Sequence, residues 1–179
     1  SLSVTSVSIF AADMTWTYDD VTKTVSVKGY GMINDAAELS RYLGDAEKIT
    51  VMPGVTKTDK NVFSNIEGVS EVTLPDGFLS IGDNSFNMSR NLKKINFPDS
   101  LESIGKEAFM GCTALENPII SKGVKSIGAN AFADCTSITE FEVSGEKTGL
   151  SLPKTKKSLL CIRQARLMRN IRFRAEPRG

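Results

Sequence analysis

Glu140 and Glu142 stand two residues apart in an alternating stretch and so would share one face of a strand, the arrangement of a paired general acid and base. No histidine accompanies them anywhere in the 179 residues. That removes the commonest general base, the usual triad partner and the most frequent metal ligand. Without a pocket-forming partner the two glutamates read as a solvated strand face. Cys112 and Cys135 are 23 residues apart and could bridge if the chain brings those positions together. Ser89 and Ile66 occupy the equivalent places, so the pair reads as buried free thiols serving as small hydrophobes. With Cys161 they match no zinc spacing. Gly29-Tyr30-Gly31 is an isolated G-x-G with no phosphate-loop pattern after it, and Asp19–Asp20 falls where a turn is expected. No catalytic, cofactor-binding or metal-ligating set emerges, and the chain reads as a non-enzyme.

The elements that position these residues are set by composition and repetition. A content of 40% hydrophobic and 24% charged residues is that of an ordinary folded domain. The net charge of +1 conceals an asymmetry: residues 145–179 carry four Lys and six Arg against two Glu, which leaves −7 for residues 1–144. So abrupt a change marks a boundary. No apolar stretch is long enough to span a membrane. Ser1–Ala12 is uncharged and apolar and ends in small residues, so residues 1–13 read as the remnant of a secretory signal peptide. A first strand is the other reading, since Val4, Val7 and Ile9 are strand formers.

Residues 46–137 fall into four blocks of 23 that begin at Ala46, Val69, Leu92 and Leu115, and a fifth copy starting at Ile138 fails after Ser144. Phe63, Phe86, Phe109 and Phe132 form one column, Ile81, Ile104 and Ile127 a second, and Gly82, Gly105 and Gly128 a third. In the best copy, Leu92–Ala114, Ile95 and Phe97 alternate with Lys94 and Asn96 as a one-sided strand, which Pro98–Asp99 ends. Leu101 and Ile104 turn inward, Gly105 is expected to supply the positive φ of a tight turn, and Ala108–Phe109 to make one helical or 3₁₀ turn. One unit cannot bury its own apolar side, so neighbouring units must stack with parallel strands. Strands are expected near 48–52, 71–75, 94–98, 117–121 and 139–143.

The pattern L-x-x-I-x-F-P-x-x-L-x-x-I-G-x-x-A-F-x-x-C resembles the BspA-like leucine-rich-repeat family of bacterial and protist surface proteins. The resemblance covers about half the chain and departs in the first rung, where Thr58-Asp59 replaces Ile-Gly. It implies an α/β, β-rich fold: a right-handed solenoid of 23-residue repeats with a parallel sheet. Met14–Asp35 is similar to the segment that precedes such repeats in secreted members. Trp16 and Tyr18, then Val25 and Val27, alternate across an Asp19–Lys23 turn, which suggests a hairpin capping the first rung. Ala36–Leu43 reads as a short helix. The expected organisation is thus a leader remnant at 1–13, a cap at 14–45, repeats at 46–144 and a basic non-repeat tail at 145–179.

The tail could be a basic amphipathic helix or a nucleic-acid arm. A third reading is a frameshift product: in a frame moved by two bases, codons compatible with Ile162–Arg174 spell a string similar to the family's next repeat. The 23-residue alignment places Ser151 and Thr155 where Gly and Phe should stand, so the strand at 139–143 is expected to be an open edge.

The outward strand positions form two columns, Lys48, Glu71, Lys94, Asn117, Glu140 and Thr50, Thr73, Asn96, Ile119, Glu142. Lys and Glu alternate on adjacent rungs and are expected to pair. No basic stripe results, so nucleic acid is not the expected partner. This flat, mixed-charge face is the expected interaction surface for a protein or cell-surface ligand. The resemblance implies a secreted or cell-surface interaction or adhesion scaffold; the other reading is a spacer or targeting module of a larger secreted enzyme.

Overall fold

Val25 and Val27 alternate with polar residues, as do Trp16 and Tyr18, so both segments make strands with one apolar side. A computed structural model of the chain describes residues 5–7, 14–36, 45–139, 141–144 and 171–174. In it β1 (Thr5–Val7) and β2 (Thr15–Asp19) pair antiparallel, and β2 forms the expected hairpin with β3 (Thr24–Lys28), Trp16 opposite Val27 and Tyr18 opposite Val25. β3 then runs parallel to β5 (Lys48–Val51), which joins the hairpin to the first coil.

Two sheets run along the coils, one ending at Lys94–Ile95 and the other at Ser126–Ile127. One continues from β5 through β7 (Glu71–Thr73) to β9 (Lys94–Ile95), with Lys48, Glu71 and Lys94 in register. The second consists of β4 (Gly31–Ile33), β6 (Val55–Thr58), β8 (Ser80–Ile81), β10 (Ser103–Ile104) and β12 (Ser126–Ile127). Its two-residue strands carry the predicted Ile81, Ile104 and Ile127 column, which is buried. A third, short sheet holds β11 (Ile119–Ile120), β13 (Phe141–Ser144) and β14 (Ile171–Arg174). Each strand appears near its expected place, although β9 and β11 are only two residues long.

Between the sheets lies the aromatic stack. Phe63, Phe86, Phe109 and Phe132 are all fully buried, with successive ring centroids 5.2 Å apart and nearly parallel planes. That spacing follows the approximately 4.8 Å separation of parallel strands. Trp16 meets Phe63 edge-on at 6.3 Å at one end, and Phe141 meets Phe132 edge-on at 5.2 Å at the other. The hairpin therefore closes the core as well as the sheet.

No helix occurs among the described residues, and of the helical or 3₁₀ turn expected at Ala108–Phe109 only isolated 3₁₀-type bonds are found, Met110 N–H to the Glu107 carbonyl at 3.2 Å and Cys112 N–H to the Phe109 carbonyl at 3.1 Å. Two left-handed residues bracket the turn that carries each Phe: Asn61, Asn84, Glu107 and Asn130 at one position, and Asn65, Met88, Gly111 and Asp134 at the other. A helix would direct its N–H groups back along its own chain. Here alternate N–H groups point instead to the next coil: those of Phe63, Phe86 and Phe109 donate to the carbonyls of Ser85, Ala108 and Ala131, each at 2.7 Å. Residues 37–43 of the other expected helix lie outside the described residues.

The glycine column also has a different cause from the one expected. Gly82, Gly105 and Gly128 do not have positive φ. A Cβ on Gly82 would stand 2.6 Å from the Asp59 carbonyl, and one on Gly105 would stand 2.5 Å from the Asp83 nitrogen. The column is the place where successive coils touch backbone to backbone. Asp59 itself departs from the Gly pattern in the first rung, and Thr58 beside it is buried and shares a hydrogen bond with the Ser85 hydroxyl at 3.0 Å.

The open edge expected after residue 143 is not found. β14 pairs parallel with β13 over four residues, Phe141 opposite Ile171 and Val143 opposite Phe173. Ile171-Arg172-Phe173 repeats the I-x-F of Ile95–Phe97, so this part of the basic tail has the alternation an added strand requires.

Candidate functional site

The chemistry-bearing residues of the cap and core have structural work. Asp19 accepts the N–H groups of Thr22 (3.2 Å) and Val21 (2.9 Å), and these bonds hold its carboxyl below the ordinary value. Asp20 accepts from Lys23 Nζ at 2.7 Å, so the acidic pair builds the hairpin turn. Gly31, at φ +82°, donates its N–H to the Gly54 carbonyl at 2.9 Å, which makes the G-x-G a turn between β3 and β4. Among the described residues no group of three or more Cys, Asp or Glu is placed to hold a metal ion.

Cys112 and Cys135 are free and buried. Each thiol donates to the carbonyl of a Phe in the preceding coil, Cys112 to Phe86 and Cys135 to Phe109, both at 3.0 Å. Ser89 does the same to Phe63 at 2.9 Å, so the column is one of small donors that stitch coils together. Burial pushes the Cys112 thiol up to about 12 and raises that of Cys135 further. Neither is a nucleophile near neutral pH.

The outward columns behave unevenly. Lys48 and Glu71 pair across β5 and β7 at 3.4 Å. Lys94, next in register, has no ion-pair partner among the described residues, so the expected alternation of pairs stops after one. Asn96 spends both ends of its side chain on the coil before it: Oδ1 accepts the Leu74 N–H at 2.7 Å and Nδ2 donates to the Leu74 carbonyl at 2.8 Å. Asn117 bridges forward, its Oδ1 accepting the Thr139 N–H at 2.7 Å. Thr50 is half-buried, Thr73 exposed, Ile119 52% exposed, and Glu142 stands in register with Ile119. Glu140 lies outside the described residues.

The face is not one continuous sheet. The long sheet ends at β9, and pairing resumes only between β11 and β13, beginning at Ile119 opposite Glu142. Pro118 occupies the position that Ile95 holds one repeat earlier. It fixes φ near −65°, away from the parallel-strand value of about −120°, and has no N–H to donate. An open groove of about 590 Å³ lies at this break. Six of the ten expected face residues line it: Glu71, Thr73, Lys94, Asn96, Asn117 and Ile119. Pro118, Lys93 and Glu116 also line it and were not among the expected residues. The signal was available, since a proline in an otherwise aliphatic strand column announces broken pairing.

The family model for the BspA type leucine rich repeat region matches residues 41–152 in six copies. Among solved structures, the chain is similar to the T. pallidum leucine rich repeat protein, with 18% identity and a TM-score of 0.57 over 82% of this chain and 64% of that one. A leucine-rich repeat protein from Eubacterium ventriosum has 18% identity and a TM-score of 0.55 over 74% of this chain and 42% of its own. One from Bacteroides ovatus has 19% identity and a TM-score of 0.50 over 86% and 55%. The chain spans less than two thirds of each of these three, and at such identities the likeness establishes the fold alone. No curated protein matches.

Proposed function

Because the chain belongs to the BspA-type leucine-rich-repeat family, we propose that it acts at the cell surface or outside the cell as a protein-interaction or adhesion scaffold, without catalytic chemistry, through the face carried by β5, β7, β9 and β11. The observation that carries this reading is the concentration of six outward residues around one open groove on an otherwise regular solenoid. A stack of coils offers a large protein partner a rigid, extended surface, and side chains there are held by ladders rather than by mobile loops. The face mixes Lys48, Glu71, Lys94 and Glu142, a pattern suited to a protein surface of mixed charge rather than to a phosphate backbone. Fold analogy contributes the cell-surface setting.

The test is binding of the fluorescently labelled chain to intact cells. A saturable isotherm that weakens at least tenfold in Lys48→Glu/Glu142→Arg, but not in Lys60→Glu on the exposed turn side, is the expected result. Non-saturable binding, or equal loss in both variants, would favour the spacer reading instead.

A further inference from the structure

Resting on the interaction reading above, we propose that the face pairs with the same face of a second copy of the chain, the two solenoids antiparallel and related by a two-fold axis that runs along the strand direction at Ile119. The charges of the face carry this inference, because they are spread unevenly over the coils. Lys48 of the first coil and Glu71 of the second neutralise each other at 3.4 Å. The third coil presents Lys93 and Lys94, both exposed and without an ion-pair partner among the described residues. The fourth presents Glu116, Asn117 and Ile119, all exposed, and the fifth presents Glu142, half-buried. Along the solenoid the face is therefore positive at the third coil and negative at the fifth. Its most exposed aliphatic residue, Ile119 at 52%, stands halfway between.

Such an order of charges is complementary to its own reverse. A two-fold axis through the fourth coil sets the third coil of each copy against the fifth of the other, so Lys93 and Lys94 meet Glu142 twice over. One strand further, Arg172 stands in register with Glu142, and its row falls opposite that of Glu71. Ile119 lies at the axis and covers its own equivalent, which takes an apolar residue amid polar neighbours out of water. Glu116 also meets its equivalent. Each of these two carboxylates then stands between Lys93 of its own chain, one coil back, and Lys93 of the second copy, so the four charges alternate.

Other arrangements oppose like charges. With the solenoids parallel, the third coils face each other and four lysines fall in one row, and an axis through the third coil does the same. An axis between the third and fourth coils sets Glu71 against Glu142. Area limits the strength of the pair. Five coils about 4.8 Å apart and about four residues of strand at about 3.3 Å each make a face of roughly 300 Å², so the pair buries roughly 600–800 Å² in all, below the about 1,200 Å² of stable complexes. The dimer is therefore weak and forms where copies are crowded, and charge selects the partner.

The experiment is sedimentation velocity on the full chain from micromolar to millimolar concentration. A monomer–dimer equilibrium is expected, weakened at least tenfold when salt is raised from about 0.05 to about 0.5 M. Lys93→Glu/Lys94→Glu and Glu142→Arg should each abolish dimerisation. An equimolar mixture of these two variants should restore it, because in the mixed pair every swapped charge meets its opposite. Ile119→Glu, which sets like charges on the axis, should also prevent it. A chain that stays monomeric at millimolar concentration, or a variant mixture that does, would overturn the proposal. So would association that both variants retain, which would place it in the basic residues 145–179. A monomeric chain that still binds cells saturably, with loss in Lys48→Glu/Glu142→Arg, would refute the second copy as partner and leave the broader interaction reading standing.

Discussion

Replacing Gly105 by Ala separates two explanations of the repeated glycine. Gly105 is not in the left-handed region, so alanine adds no backbone strain there. By narrowing the unfolded ensemble it would on its own stabilise by about 0.4–1 kcal/mol. Against this, its Cβ would stand 2.5 Å from the Asp83 nitrogen and 2.6 Å from the Gly82 carbonyl carbon. Both are roughly 0.8–0.9 Å inside ordinary contact between such atoms. The coil cannot retreat that far and keep its bonds. Gly105 N–H donates to the Ile81 carbonyl at 2.8 Å, and Lys106 N–H to Asp83 Oδ1 at 2.7 Å. Lengthening either by about 0.8 Å takes it to the limit of a hydrogen bond, and two such losses cost about 1 kcal/mol each. With overpacking of about 1–3 kcal/mol, the net destabilisation is about 2–4 kcal/mol, or roughly 5–15 °C in Tm. Urea and thermal unfolding followed by far-ultraviolet circular dichroism give both values. Gly77→Ala is the control: nothing lies within 4 Å of its added Cβ, but its φ is +88°, so its cost of about 1–2 kcal/mol is backbone strain alone. A Gly105→Ala protein as stable as the parent, or one less affected than Gly77→Ala, would refute contact between coils as the reason for the column.

Two further outcomes are expected. Phe86→Ala removes a fully buried ring from between Phe63 and Phe109 and should cost about 3–5 kcal/mol in the same unfolding assay; a loss below about 1 kcal/mol would mean that the stack is not a tight core. The buried thiols make stability pH-dependent. Since their folded-state values are raised, the folded chain binds more protons than the unfolded one above the unfolded thiol value of about 8.5, and stability falls as pH rises from there. The fall runs to about 12 for Cys112 and higher for Cys135, and Cys112→Ser/Cys135→Ser should flatten it in urea titrations between pH 8 and 10. An equally steep decline in that variant would assign the effect elsewhere.

The features legible in the sequence were those that recur in residue type. A ring or a branched aliphatic side chain every 23 residues implies a buried column whatever the backbone does between, so the Phe stack and the Ile81, Ile104 and Ile127 line follow from spacing alone. The Trp16–Val27 hairpin was legible for a similar local reason, alternation on both sides of a turn. Features that recur in conformation but not in residue type were hidden. Asn61, Asn84, Glu107 and Asn130 share a left-handed φ although Glu rarely takes one, so the column does not look like a turn signal. The glycines were legible as necessary but not in their cause, because positive φ and close approach select the same residue. The candidate face was half legible. Outward positions follow from alternation, but that Asn96 and Asn117 are bonded while Lys94 has no ion-pair partner among the described residues depends on how far adjacent coils stand apart, which alternation does not encode.

The direction of the bonds between coils has a mechanical consequence. In both sheets and in the turn layer the N–H and C=O groups that join coils point along the axis of the stack. Tension applied along that axis meets the coil boundaries in series and opens them one at a time, each like a zipper rather than a sheared joint. Each opening frees one 23-residue coil, about 70–75 Å of extended chain less its place in the stack. The boundary at Pro118 keeps the β10–β12 ladder but has none between β9 and β11, so it is held by fewer bonds than the boundaries joined by both sheets. A tether built this way would lengthen in discrete steps under load, one coil at a time.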